Sequence, residues 1–448
     1  MRKEAMAEPR LTQQQSVPQL LVLAGGSSSR MWPLREKLLI PFAGHSLLRR
    51  QLERLRSLGW RRAVLVASAQ NAALLREELA DLPEMELHFA IQAAAKGMGD
   101  AVLCAEPLLN EGPLFIHQVH DLVDDRLYSD LLSAHAAQPE RAYLAAAEMK
   151  EYFPGGYLAL AGERIRHIVE KPAPAERPSD LVNIVAHIHP SAERLCAAIR
   201  QQYDQQPTGD DHYERALAAL MAEQYFVALR YDGPWRALKY PWHVLDVMDA
   251  FLAEQGRVDM DNGEPVVDPS ARIDPAAQLS GPVVVAAGAR VFAGANLVGP
   301  AYIGAGSIIG NQALVRGSMV GAECEVGFTS EVARSYVGDR CSLHACRVLD
   351  SVLAEGVNFS AGCTTANLRM DRAEVHSRVK GQRIASGRQK LGAIIGAGAF
   401  ISVDAMTMPG VKIGAGAQIG PVTIVHEDVG EGVRLFVRQQ QEQRGSST

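Results

Sequence analysis

The sequence predicts an α/β domain, a parallel sheet covered by helices, followed by a parallel β-helix. Two patterns carry that prediction. From residue 19 to about 255, short apolar runs alternate with amphipathic segments, as strands joined by helices do. After residue 265, aliphatics recur every six residues, at Val267, Ile273, Leu279, Val285, Val291, Leu297, Ile303, Ile309 and Val315. In a chain that is 47% hydrophobic, nine successive hits in one chosen frame arise by chance at roughly 0.1%.

In the first part, "QLLVLAGG" reads as a strand entering a turn and "HSLLRRQLERLRSLG" as an amphipathic helix. "RRAVLVAS" and "NAALLREELADL" repeat the pair, and "MELHFAIQ", "GPLFIHQVHD" and "AYLAAAEM" follow as strands. Ligands of such sheets bind at the carboxyl ends of the strands. In the second part, a period of six fits neither a helix nor a single strand. It fits a coil of three short strands per turn, each aliphatic pointing into a shared prism. The frame slips by one at Val320 and again at Val337, and resumes at Ile395, with Thr407 in one gap. Between about 366 and 391 the repeat yields to a polar, basic interruption, read as a loop. The expected organisation is a disordered extension 1–18, domains at 19–255 and 265–436, and a polar tail 437–448.

A net charge of -6 argues against a general nucleic-acid binder. The six scattered cysteines form no CxxC pair, which fits a reducing compartment and gives no zinc signature. The polar first residues lack the apolar core of a secretory signal, and no apolar run approaches a membrane span. The expectation is a cytoplasmic protein with no nucleic-acid or membrane partner.

"LAGGSSSRMWPLREK", residues 23–37, is neither a P-loop nor GxGxxG. Its small residues let backbone N–H groups approach a phosphate, and Arg30 and Lys37 lie where a loop could bring two cations to it. This stretch resembles the signature of the sugar-phosphate nucleotidylyltransferases, and further matches fall in order along 19–250. "IQAAAKGMGDA", "LFIHQVHDLV", "GERIRHIVEKP", "LVNIVAHI" and "GPWRALKYPWHVLD" each resemble an element of that family.

The resemblance implies a Rossmann-like nucleotidyltransferase domain. Its reaction is attack by a sugar 1-phosphate on the α-phosphorus of a nucleoside triphosphate, with release of pyrophosphate. By position, Gly25 and Gly26 approach the phosphates, Arg30 and Lys37 hold them, and Gln92 reads the base, with Gly97 allowing close approach. Asp121 holds Mg2+, Glu170 faces the sugar, Lys171 grips its phosphate, and Asn183 lies in the same pocket. The pattern departs from the family where Ala237 replaces a second acidic metal ligand and Lys239 follows it. Asp124, Asp125 and Asp232 are the nearby carboxylates that could substitute. His117, His120 and Asp121 also offer an HxxHD reading for a transition metal.

The coil resembles left-handed β-helices of the hexapeptide type, acyltransferases that work as trimers with coenzyme A between coils. "LHACRVLDSVLAEGVNFSAGCTTANLRMD" is similar to a region of bifunctional glucosamine-1-phosphate acetyltransferase/N-acetylglucosamine-1-phosphate uridylyltransferases and their archaeal relatives. That resemblance, over about 19–430, implies acetyl-CoA as a co-substrate and a homotrimer. His344 would be the general base, Asn358 and Asn367 would bind the sugar, and Arg316 its phosphate, with Lys390 a further contact. Ala333 and Arg347 replace a Lys and a Tyr of the family pattern. The expected function is therefore a nucleotidylyltransferase with an added acetyltransferase activity. The alternatives are an acetyltransferase alone, or a degenerate subunit that binds nucleotide sugars.

Overall fold

The structure, a computed structural model, describes residues 17–26, 28–153, 155–258, 264–440 and 442. The expected disordered extension therefore lies outside the described residues except at 17 and 18. The expected tail is described only at 437–440, which are exposed and irregular, and at 442. Two compact units emerge, and they do not divide at 255–265. One gathers Gln19–Leu23 with 51–235, and the other gathers 28–50 with the described residues from 236 onward.

The first unit is built on one nine-stranded sheet. Its strands are β1 (Gln19–Leu23), β2 (Arg62–Ser68), β3 (Glu86–Gln92), β4 (Leu114–His117), β5 (Ala142–Glu148), β6 (Gly156–Ala161), β7 (Arg164–Glu170), β8 (Leu181–His189) and β9 (Phe226–Tyr231). Their order is β3-β2-β1-β4-β8-β5-β9-β7-β6. The first four run parallel, and the β5–β9 pair is parallel as well. The sheet is nonetheless mixed, because β8 lies antiparallel between β4 and β5. The parallel expectation fails here for a local reason. Among the described residues from 149 to 180 there is no α-helix, and the chain folds instead as the β6–β7 hairpin, turning through Gly162 at φ 66°. A hairpin reverses direction without the helical crossover that parallel neighbours need.

The first six α-helices among the described residues are α1 (Leu47–Ser57), α2 (Ala72–Glu78), α3 (Gly97–Ala105), α4 (Asp125–Ala137), α5 (Ala192–Gln205) and α6 (His212–Glu223). Apolar faces of Leu21, Val64, Ile116 and Leu144 meet α3, α5 and α6 in one core. Helix α5 shows why its residues are helical. Ser191 caps it by accepting from the Arg194 N–H, and Leu195, Cys196, Ile199 and Gln202 fall on one buried stripe.

In the second unit the coil is a left-handed parallel β-helix whose three sheets each take every third strand. Along one sheet Val267, Val285, Ile303, Val320, Val337, Leu353, Ile395 and Ile413 stand in register. The slips seen in the sequence are coils shortened by one residue, absorbed at the corners while the inward positions stay aligned. Leu353 pairs directly with Ile395, so the basic interruption is looped out as expected and carries its own hairpin, His376–Val379 with Gln382–Ala385. Val267 is exposed, and Ile273 and Leu279 are only partly buried, because the first coil has no rung above it.

Residues 28–50 and helix α7 (His243–Val258) pack on this coil. Phe42 is fully buried between Phe251, at 5.2 Å between ring centres, and Tyr336, at 5.6 Å. The Tyr336 hydroxyl donates to the Pro41 carbonyl at 2.8 Å. Buried Lys412 donates to the Arg378 carbonyl, pairs with Asp428 at 3.4 Å and lies 4.8 Å from the Trp32 ring. Arg388 of the looped-out segment holds Asp246 on α7 at 2.5 Å.

Candidate active sites

In the first unit the predicted residues gather at the carboxyl ends of strands. Gly25 follows β1, and a Cβ there would sit 3.3 Å from Gln92 Oε1 at the end of β3. Gly26 adopts φ 133°, open to glycine alone, with nothing within reach of an added side chain. Gln92 is buried, and its amide donates to the Gly97 carbonyl at 3.0 Å and to Asp100 at 2.9 Å. Both amide protons are thus spent on the protein, and the amide oxygen is turned toward the glycine loop. Gly97 is required by its own backbone surroundings. Its φ is 87°, and an added Cβ would sit 2.4 Å from the Asp210 carbonyl oxygen, so the backbone of the α5–α6 connection requires the glycine.

Asp121 is buried in the short strand Asp121–Leu122 after β4, and its carbonyl accepts from Gln51 Nε2 at 3.3 Å. Gln51 also holds the Val119 carbonyl, which fixes the backbone that carries the carboxylate. His117 does not join it. Burial drives its pKa down to about 4, and its two nitrogens face the Val185 carbonyl and the Tyr128 hydroxyl. The transition-metal reading of HxxHD therefore fails, since that histidine belongs to the core. Among the described residues no group of three His, Cys, Asp or Glu is placed to hold a metal ion. Asp125 and Asp232 are committed to Arg54 and Arg126. One buried carboxylate still suits magnesium, which commonly takes one or two carboxylates and completes its shell with phosphates and water.

Glu170, Lys171 and Asn183 come together around Gly156. A Cβ on Gly156 would meet Glu170 Oε2 at 3.1 Å and Asn183 Cβ at 3.8 Å. Lys171 has left-handed backbone at φ 45° and pairs with Glu170 at 2.8 Å. Next to them α6 presents Glu214, whose carboxyl is pushed up to about 7, mainly by burial and secondarily by the Glu170 charge. A second concavity of about 600 Å³ opens at the ends of β5 and β9, lined by Glu148, Lys150, Arg230 and Trp235 among others.

Arg30 and Lys37 lie in the second unit. Arg30 is exposed in the single 3-10 turn Ser29–Met31, and Lys37 opens another at Lys37–Leu39. On the coil, His344 and Asn358 line one cavity of about 480 Å³ with Glu325, Ser342 and Ser360. Leu343 and Phe359 are in register, which sets His344 and Asn358 on adjacent rungs. Gly327 lies beneath His344, where an added Cβ would sit 3.0 Å from the Leu343 carbonyl oxygen and 3.6 Å from His344 Nδ1.

The remaining three coil residues lie outside that cavity. Asn367 donates its amide to Asp350, which also takes a two-pronged bond from Arg334 at 2.7 and 2.6 Å. The Asn367 amino group is thus occupied by a buried carboxylate. Arg316 pairs with Glu331 at 2.8 Å and stands in register with Ala333. Lys390 is exposed and bridges to Leu368.

A nucleotidyl transferase family profile matches residues 19–238. A bifunctional sugar-1-phosphate nucleotidylyltransferase/acetyltransferase of Sulfurisphaera tokodaii is 30% identical over 432 residues, spanning 92% of this chain and 98% of that one. The chain belongs to this bifunctional family. The bifunctional protein GlmU of Methanocaldococcus jannaschii is 28% identical, over 94% of this chain and 98% of that one. A crystal structure of UDP-glucose pyrophosphorylase with UDP-glucose aligns to 53% of the chain at 18% identity, with a TM-score of 0.46.

For a nucleotidylyltransferase/acetyltransferase, the sequence reading left out the residues that hold its candidate ligands in place. Gln51, Asp100, His187 and Glu214 touch or face predicted site residues, and Tyr213 bonds to His187 behind one of them. Each lies far along the chain from its partner or inside an ordinary helix or strand pattern, so no motif marks it. Among the described residues no helix is long and apolar enough to cross a membrane.

Proposed function

We propose that this chain transfers a nucleotidyl group from a nucleoside triphosphate to a sugar 1-phosphate, and that its coil acetylates an amino-sugar 1-phosphate from acetyl-CoA. The observation that carries the first half is the convergence of Glu170, Lys171 and Asn183 on Gly156, on the sheet whose strand ends hold Gln92 against Gly25. A phosphate oxygen of the sugar 1-phosphate attacks the α-phosphorus and pyrophosphate leaves, so the protein's task is positioning and neutralising charge. Gln92, held by Gly97 and Asp100, offers a fixed carbonyl to a base N–H. Lys171 balances the sugar phosphate, and Glu170 accepts from sugar hydroxyls. Arg30 and Lys37 supply positive charge for the triphosphate. Asp121 would hold Mg2+, which when bound neutralises phosphate charge as it develops.

In the coil, His344 takes a proton from the sugar amine as its nitrogen attacks the thioester carbon and the coenzyme A thiolate leaves. The shared His344–Asn358 cavity supports this half. The homotrimer and the cytoplasmic location belong to the same proposal. Support for the latter comes from six cysteines that are all free thiols. A second reading, a subunit that binds nucleotide sugars without turnover, is favoured by Ala237, Ala333 and Arg347 at positions where the family pattern has other residues.

Pyrophosphate release decides between them. It is measured with magnesium for UTP, dTTP, GTP and CTP against hexose and hexosamine 1-phosphates, with Arg30→Ala as the blank. Release that needs both substrates and vanishes in the variant is expected. Binding of nucleotide sugar with no release from any pair would leave the second reading standing. For the coil, His344→Ala is expected to slow acetyl transfer by about 10²–10⁴, read as free thiol from acetyl-CoA.

A further inference from the structure

One of the coil's three sheets differs from the others on its outer face. Its outward residues Tyr302, Met319, Tyr336, Val352, Ile394 and Lys412 stand in one column, and all six are buried. On a second sheet the outward column includes Glu325, Ser342 and Asn358, side chains suited to water. The buried column is roofed by the segment 28–50. The Tyr336 hydroxyl donates to the Pro41 carbonyl at 2.8 Å, and the Ala43 N–H reaches Met319 Sδ at 3.1 Å. A Cβ on Gly44 would sit 3.2 Å from the Tyr302 hydroxyl. At the other end of the column the Lys412 ammonium lies 4.8 Å from the centre of the Trp32 ring. Residues 32–44 therefore run along the column from Lys412 to Tyr302.

Lys412 is the one charge among the six. Val352 and Ile394 show that an apolar side chain suits this face, and a buried ammonium costs free energy unless its three N–H groups find acceptors. Three acceptors surround it. They are the Arg378 carbonyl of the looped-out hairpin, the Asp428 carboxylate at 3.4 Å, and the face of Trp32. Asp428 also accepts the Lys412 backbone N–H at 2.9 Å, which fixes the carboxylate. Burial pulls the Lys412 pKa down, and the Asp428 charge pulls it back.

The third acceptor belongs to the segment that carries Arg30. Trp32 closes the turn Ser29–Met31, in which Met31 is buried and Arg30 exposed. The place of the indole thus sets the point from which the Arg30 guanidinium extends.

We propose that Lys412 is a positioning residue for nucleotidyl transfer: through the face of Trp32 it fixes the turn that bears Arg30. The outer face of the coil then sets the placement of a cation that the triphosphate needs. This rests on the functional reading above and deepens it. Arg30 acts by its charge, and such stabilisation works only if the donor is in place when charge develops. A turn free to shift by about an ångström forfeits much of that effect. An apolar neighbour would hold Trp32 by area alone, whereas a cation is drawn to the middle of the ring and opposes its sliding.

The test is steady-state pyrophosphate release and acetyl transfer by the full chain. Lys412→Met keeps the length of the side chain and removes the charge. It is expected to lower kcat for pyrophosphate release about tenfold. The KM for the sugar 1-phosphate, whose candidate contacts lie in the first unit, and the rate of acetyl transfer are expected to stay within about twofold of wild type. Lys412→Arg is expected to recover most of the loss, because a guanidinium also stacks on an aromatic face.

Because removing a buried ammonium can disturb folding, Trp32 supplies a second reading from the half-buried side of the contact. Trp32→Leu is expected to lower kcat as Lys412→Met does, and Trp32→Phe to stay within about threefold of wild type. The double variant Lys412→Met/Trp32→Leu is expected to be no slower than either single variant, since both remove one contact. Full kcat in Lys412→Met or Trp32→Leu, losses that multiply in the double variant, or both activities falling together overturns the positioning role and leaves the functional reading intact. A wild type that releases no pyrophosphate from any substrate pair overturns both.

Discussion

At the scale of single residues, burial decides which charges the first unit can carry. Glu214 lies on α6 where its carboxyl is raised to about 7, chiefly by burial. Its folded value exceeds the unfolded one, so its contribution to stability is fully present at acid pH and is lost as pH rises toward and through 7. Glu214→Gln keeps the shape without the charge. It is expected to leave the melting temperature nearly unchanged near pH 4.5 and to stabilise by about 3 kcal/mol at pH 8, read by thermal denaturation at both values. A variant equally stabilised at both pH values would mean the carboxyl is not the cause. The sequence could not single out Glu214, because it falls among the alternating residues of an ordinary helix and two of its charged neighbours, Glu170 and Lys171, come from the end of β7.

At the scale of elements, the six-residue rhythm was legible because it is enforced by geometry: an inward position recurs once per face, and anything polar there is unsolvated. Thr407 tests that rule. It is buried on the inward column, and its hydroxyl has no hydrogen-bond partner among the described residues. Thr407→Val fills the same volume without the unmet donor and is expected to stabilise the coil by about 1–2 kcal/mol in urea unfolding.

Gly97 makes the opposite point. A Gly-rich stretch invites a ligand reading, yet the close neighbour is the chain's own backbone at Asp210. Gly97→Ala must force both φ 87° and that carbonyl apart. It is expected to cost about 2 kcal/mol or more and to raise the KM for nucleotide, since the Gly97 carbonyl also anchors Gln92. Unchanged stability and KM would argue that the α5–α6 connection yields freely.

At the scale of the whole molecule, the segment that bears Arg30 and Lys37 is part of the coil's compact unit. Residues 28–50 are tied to it by Phe42, wedged against Phe251 and Tyr336, and by the Tyr336 hydroxyl on the Pro41 carbonyl. Phe42→Ala removes a fully buried ring and is expected to destabilise the second unit by about 3–5 kcal/mol. Limited proteolysis is then expected to cut within 28–50 faster than in the wild type. Loss of stability with 28–50 still protected would mean other contacts hold the segment. Arg30 and Lys37 would in that case keep their place.

The sequence by itself determined the two architectures, the strand order through residue 148 with the first two helices, and the identity of the motif residues, while the helices Gly97–Ala105 and Asp125–Ala137 emerged only in the structure. Each of these follows from short-range rules: apolar spacing, turn chemistry and the order of motifs. Only the tertiary structure decided that the sheet is mixed, that the compact units divide around 28–50, that His117 is core and Gly97 a packing glycine, and that Lys412 lies against Trp32. These depend on contacts between residues tens to hundreds of positions apart. No local pattern encodes such contacts, because burial and hydrogen-bond pairing are properties of the folded neighbourhood and leave no periodicity in the chain.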